Sequence, residues 1–193
     1  MTGQYADNPY ISNATGAAQM NDTTFAEQLK DMGACQPALD WVGSRDLPGA
    51  WAECTEPSWM FWLAARTVPR QALVLAACDC AEPALKYVSV REDRPLIAIE
   101  TARKWARGEA TIEQVHEARR NAYNAYTATA TAAAYAAYAA TAAATAATAA
   151  RGAATYAAAS ARDARKTSNL ESCNAIRRNI TADMIASGIK KPA

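Results

Sequence analysis

The chain has 193 residues, a formal net charge of +1 at pH 7 and a hydrophobic fraction of 51%, much of which is alanine. A chain of this length forms one domain, or one domain with an extension. The small net charge argues against strong attraction to nucleic acid or to anionic lipid, so neither partner is expected.

Residues 1–20 are polar, with Gly, Asn, Ser and Pro mixed in, and predict a flexible N-terminal arm. The arm lacks a basic region followed by an apolar run, so no signal peptide is predicted and the protein is expected in the cytoplasm. The five cysteines are therefore expected to be reduced thiols.

Residues 21–110 predict a compact bundle of short helices, divided from one another by Pro, Gly and polar residues. No alternating β pattern occurs, so the fold class is all-α. Asn21 to Thr23 are expected to cap the first helix. The predicted helical segments are Phe25–Met32, Gln36–Val42, Leu47–Cys54, Ser58–Thr67, Arg70–Cys80, Pro83–Val88 and Leu96–Arg107.

Four tryptophans of the bundle are predicted to form the aromatic centre of its core: Trp41, Trp51, Trp59 and Trp62. Packing is favoured over the alternative, a ligand cage. The segment Arg70–Cys80 is apolar almost all round, which predicts a central, buried helix.

Residues 111–193 predict one very long helix and a C-terminal helix that packs back on it, together forming one domain with the bundle. Thr111 and Gln114 form a capping box at the start. From Asn121 to Ala150 there is no charged residue, Gly, Pro or large aliphatic residue, and Ala is the best helix former. The helix is therefore expected to reach at least Arg151. The C-terminal helix is predicted at Leu170–Ile185.

The tyrosines and threonines of the long helix fall largely on one side, and alanines fill the other. Either the Ala face packs on another helix and the Tyr side meets a partner, or the tyrosines fill the packing grooves as ordinary spacers. The first arrangement is favoured because small residues let helices approach closely. The candidate partner-binding residues are Tyr123, Tyr126, Tyr135, Tyr138, Tyr156 and the basic Arg151 and Arg162.

No residue pattern predicts catalysis, a cofactor or a metal. His116 is the only histidine, and Cys78 and Cys80 diverge by about 200° on a helix. Asp79 is an acid within an apolar helix and needs a partner, for which Arg66, Arg91 or Arg94 are candidates. The chain is therefore expected not to be an enzyme.

Several segments between Leu39 and Tyr138 carry a family resemblance: Ala38–Gly43, Ala50–Cys54, Trp59–Arg66, Leu73–Ala81, Glu92–Thr111 and the Ala/Tyr-rich helix. In this order they resemble the alanine-rich immunity proteins of bacteria and phages, a family named after a domain found near polymorphic toxins. The resemblance implies a helical inhibitor that neutralises a toxin, or a host defence component if the protein is phage-encoded. The alternative is a structural module that forms homo-oligomers through the Ala face.

Overall fold

The computed structural model describes residues 23–88, 90–128 and 166–189. Within these ranges the regular secondary structure is entirely helical, which confirms the all-α class. The helices are α1 (Phe25–Asp31), α2 (Gln36–Val42), α3 (Leu47–Glu53), α4 (Pro57–Thr67), α5 (Arg70–Ala81), a 3₁₀ helix (Glu82–Tyr87), α6 (Arg94–Ala106), α7 (Ile112–Ala128), α8 (Lys166–Asn179) and α9 (Ala182–Ile189).

Helix starts follow local chemistry. The side chain of Thr24, rather than Asn21 to Thr23, caps α1 in a capping box with Glu27. At α7 the predicted box is confirmed: the backbone N–H of Thr111 donates to Gln114 at 2.8 Å, and the N–H of Gln114 donates back to the Thr111 hydroxyl at 3.3 Å. The predicted bounds within the bundle agree to within two residues.

The core is centred on α5, which packs against α4, α6 and α8. Its Leu73, Val74 and Cys78 are buried, together with Phe61 of α4 and Ile99 of α6. The prediction that four tryptophans form the aromatic centre of the core was wrong, because only Trp51 is buried. Trp59 and Trp62 are about 60° apart on α4, and the neighbouring Met60, Phe61 and Ala64 take the core side instead.

The C-terminal residues form two helices instead of the single helix that was predicted. The helix breaks at Ile180 and Thr181, and the Thr181 hydroxyl accepts from the N–H of Met184 at 3.3 Å to start α9. Both helices return to the bundle, where α8 packs on α5 and α4, and α9 packs on α4 and α3.

Hydrogen bonds, one of them buried, hold the C-terminal helices against the bundle. The Trp51 indole N–H donates to the carbonyl of Ile180 at 3.0 Å, and Arg177 Nε donates to the carbonyl of Trp51 at 2.9 Å. Arg177 also donates to the carbonyl of Cys54. These bonds place the end of α8 against α3.

The longest described helix is α7, with 17 residues, so the predicted very long helix is not shown. Its continuation to Arg151 falls on residues 129–165, which lie outside the described residues, as does the N-terminal arm. The packing of the C-terminal helix on that segment also stays a prediction. Among the described helices, none has the length and apolarity needed to cross a membrane.

Gly188 brings α9 close to the end of α4. A Cβ at this position would lie 1.9 Å from the carbonyl oxygen of Thr67 and 2.5 Å from its carbonyl carbon. Both are backbone atoms, so a side chain would force the two helices apart.

We therefore expect Gly188→Ala to lower the free energy of unfolding by about 2 kcal/mol, as over-packing does, although Ala in a helix otherwise gains about 1 kcal/mol over Gly. Urea denaturation measures the change. The matched control is Ser187→Ala, whose exposed hydroxyl bonds only to Asp183 within α9, and which should change stability by less than about 0.5 kcal/mol. A Gly188→Ala chain as stable as the parent would contradict the close approach.

Candidate functional site

Asp79, the acid within the apolar helix α5, is held by groups from two other helices. Its Oδ1 accepts from Arg103 Nη2 of α6 at 2.7 Å, and its Oδ2 accepts from Asn179 Nδ2 of α8 at 2.9 Å. Arg103 also binds Glu82 at 2.7 Å. We call these four residues the Asp79 cluster.

The predicted partners of Asp79 were wrong, although the need for a partner was right. Arg94 instead pairs with Glu92, two residues away, and Arg66 lies over the ring of Trp62. Arg103 reaches Asp79 because α6 packs along α5, a neighbourhood that local sequence does not encode.

The contacts of the Asp79 cluster indicate a structural role, because they connect helices. Arg103 hydrogen-bonds to Glu82 and lowers the pKa of that carboxyl from its ordinary value of 4.5. Both oxygens of Asp79 accept hydrogen bonds from the protein, and the Asn179 amide also donates to its own helix at Ala175. The cluster thus joins α5, α6 and α8.

An open apolar groove lies between α1, α2, α3 and α4, with a volume of about 340 Å³. We call it the tryptophan groove and define it by Trp41, Trp59 and Trp62, with Phe25, Leu29 and Cys35. The three tryptophans are half-buried, and the rings of Trp41 and Trp59 lie 6.0 Å apart at an angle of 50°. Its volume falls in the range of ligand pockets.

Two arginines lie over tryptophan rings of the groove, those of Trp41 and Trp62. The guanidinium carbon of Arg45 lies 4.8 Å from the ring centre of Trp41, and that of Arg66 lies 3.9 Å from that of Trp62. Arg45 is fixed by Glu53 at 2.9 Å and by the carbonyl of Trp41 at 2.6 Å. The rings are therefore set in place before anything binds.

The sequence held a readable signal for this groove that was not used. Arg66 follows Trp62 by four residues within α4, the spacing at which helical side chains meet. Arg45 instead reaches Trp41 from the connection after α2, which ends at Val42. The helical spacing predicts a stacked Trp62–Arg66 pair at a surface, and the core assignment of Trp62 overlooked it.

All five cysteines are free. Burial raises the pKa of the Cys78, Cys80 and Cys173 thiols to about 12, and it also raises the pKa of Cys54. Cys35 alone is exposed, at the mouth of the tryptophan groove. Within the described ranges, no group of three or more His, Cys, Asp or Glu residues is arranged to hold a metal ion.

Of the predicted partner-binding residues, only Tyr123 has a described side chain. It lies on α7 and is 53% exposed. Tyr126 lies on the same helix, but its side chain is not among those described. The other predicted residues lie outside the described ranges: Tyr135, Tyr138, Arg151, Tyr156 and Arg162.

Over the part of the chain that the structure describes, these features define an all-helical fold with a pre-formed aromatic groove and an exposed tyrosine. A family model described as "Imm-5 like putative immunity protein" matches residues 64–186, more than half of the chain, and the chain belongs to this family. The resemblance seen in the sequence is thereby confirmed. Comparisons with curated proteins and with solved structures gave no match.

The family match includes the Asp79 cluster and excludes the tryptophan groove. It begins within α4 and ends within α9, so the Asp79 cluster lies inside it. Every residue that lines the tryptophan groove precedes residue 64 and lies outside the matched range.

Replacing Arg103 should show the structural part of the Asp79 cluster. We expect Arg103→Met to lower the free energy of unfolding by about 2 kcal/mol at pH 7, the size typical of hydrogen bonds to charged groups. The control, Arg107→Met, breaks an exposed, solvent-screened pair with Glu109 and should leave the free energy of unfolding nearly unchanged.

The contribution of the Arg103–Glu82 pair to the free energy of unfolding depends on pH. Since the pKa of Glu82 is lowered by Arg103 in the folded chain, the stability from this pair is present above pH 4.5 and is lost as the pH falls below that value. The difference in the free energy of unfolding between the parent and Arg103→Met should therefore become smaller as the pH falls below 4.5. Equal losses for both variants at pH 7 would contradict the assignment.

Thiol reactivity tests the arrangement of the cysteines. With a disulfide reagent at pH 8, we expect one thiol, Cys35, to react fast and the other four to react only after unfolding, because neutral buried thiols are poor nucleophiles. The Cys35→Ser variant should lose the fast phase and keep the slow one. Two or more fast thiols in the folded parent would contradict the burial described above.

Proposed function

We propose that this protein is a non-enzymatic inhibitor that binds a toxin protein and neutralises it. Membership of the immunity-protein family is the observation that carries the proposal. If the gene belongs to a phage, the target is a host defence component instead. The five free cysteines fit a reducing compartment, which supports action in the cytoplasm.

We propose the tyrosine side of α7 and of the residues that follow it as one binding surface. It comprises the seven residues predicted from the sequence: Tyr123, Tyr126, Tyr135, Tyr138, Arg151, Tyr156 and Arg162. The exposure of Tyr123 supports this surface, because Tyr and Arg are enriched among residues that dominate binding energy.

The test is co-expression with each toxin encoded beside the gene, in a bacterial host whose growth the toxin stops. The parent chain should restore growth and form a complex of fixed stoichiometry with one toxin. Tyr123→Ala should weaken that complex at least about tenfold, as loss of a dominant aromatic contact does, when measured by calorimetry.

The matched control is Glu117→Ala, an exposed residue on the same helix, at about 120° from Tyr123. It should leave the affinity within about twofold. Failure to rescue growth from any of the toxins would contradict the inhibitor function. Rescue with unchanged affinity in Tyr123→Ala would contradict only the assignment of this residue to the surface.

A further inference from the structure

We propose that the tryptophan groove is a second docking site, which takes an apolar side chain from a basic segment of a protein partner. The inference rests on the proposed function for one point, that the partner is a protein. The residues that line the groove all precede the range matched by the family model.

The groove has the composition of a binding hot spot. Trp and Arg are enriched among residues that dominate protein–protein affinity, especially around a pocket that receives an anchor side chain. Here three half-buried tryptophans surround a volume of about 340 Å³ beside the buried Met60 and Leu63 of α4. An isolated exposed aromatic residue would need no explanation, whereas a contiguous aromatic concavity marks a binding surface.

The groove is also pre-organised. Arg45 covers one face of Trp41 and is itself held by Glu53, while Arg66 covers one face of Trp62 and donates to the carbonyl of that residue at 2.8 Å. A partner therefore does not have to order these rings, and less binding free energy is lost on association.

Charge selects the class of partner. Residues 23–67, which build the groove, carry six carboxylates and three cations, a net charge of −3, while the whole chain carries +1. The acids lie on the helices around the groove or in their connections: Glu27, Asp31, Asp40, Asp46, Glu53 and Glu56. Opposite potentials raise association rates and suppress wrong partners, so the fitting segment is rich in Lys and Arg.

The occupant follows from these two properties together. An aliphatic or aromatic side chain fills the apolar groove, and flanking Lys or Arg residues face the surrounding carboxylates.

A displayed library of random 12-residue peptides, selected against the full chain, tests this inference without knowledge of the partner. We expect enriched peptides to carry one large apolar residue flanked by Lys or Arg. Trp59→Ala should reduce their binding at least tenfold. The control, Leu96→Ala, removes an exposed apolar side chain of α6 that lies outside the groove and should have no effect.

Two further experiments complete the test. The first separates the effect of charge from that of shape, and the second replaces Trp59→Ala if that variant does not fold. The combined Asp31→Asn, Asp40→Asn and Glu56→Gln variant should retain the apolar preference and lose the basic one. If Trp59→Ala fails to fold, alkylation of Cys35 with N-phenylmaleimide places a phenyl group at the mouth of the groove in the unaltered sequence. The alkylated protein should lose peptide binding at least tenfold.

Several outcomes would overturn the inference. They are an absence of enriched peptides, enrichment of neutral or acidic peptides, or binding that survives both Trp59→Ala and alkylation of Cys35. Enriched peptides that match residues 1–22, or another stretch of this chain, would assign the groove to the chain's own N-terminus or to a second copy. Growth rescue is measured separately from peptide binding. A negative peptide result therefore contradicts only the docking site, and a failure to rescue growth contradicts only the inhibitor function.

Discussion

Helix α5 is apolar on nearly every side, so it has to be covered on nearly every side. α4, α6 and α8 lie around it, and its Val74, Ala76 and Cys78 are wholly excluded from solvent. Burial of such a helix is the main source of stability in a small helical domain. The arrangement of the other helices follows from this requirement.

The same helix carries one acidic side chain, Asp79, and its hydrogen bonds decide how the covering helices are aligned. A carboxylate near the core is tolerated only when it is paired and hydrogen-bonded. Asp79 meets this condition through Arg103 on α6 and Asn179 on α8. A displacement of either helix along α5 would break these bonds, so the Asp79 cluster fixes the positions that apolar packing alone leaves less defined.

The residues that build the described core and those that line the tryptophan groove alternate on α4. Phe61 and Ala64 are wholly buried in the core, whereas Trp59 and Trp62 line the groove together with residues of α1 and α2. One helix thus serves both stability and binding. The family match covers the helices around α5, whereas the groove is built almost wholly by the helices that precede it.

Local chemistry made much of the bundle predictable. Pro57 at the start of α4, Gly43 after α2 and the Thr111–Gln114 box act within a few residues, and these helices lie where the sequence places them. The apolar character of α5 likewise predicts its central position. The Tyr side of the long helix stays a prediction, and Tyr123 is the one member whose described side chain is exposed.

Contacts between residues far apart in the chain were decided only by the tertiary structure. Arg103 became the partner of Asp79 across 24 residues, and Ile180 became the acceptor for Trp51 across 129. Helical periodicity states which residues share a face, but not which helix that face meets. For this reason the sequence by itself determined the helices, the buried α5 and the family resemblance. Only the tertiary structure decided how α1, α2, α3 and α4 pack together, and that packing leaves three predicted core tryptophans in the wall of an open groove.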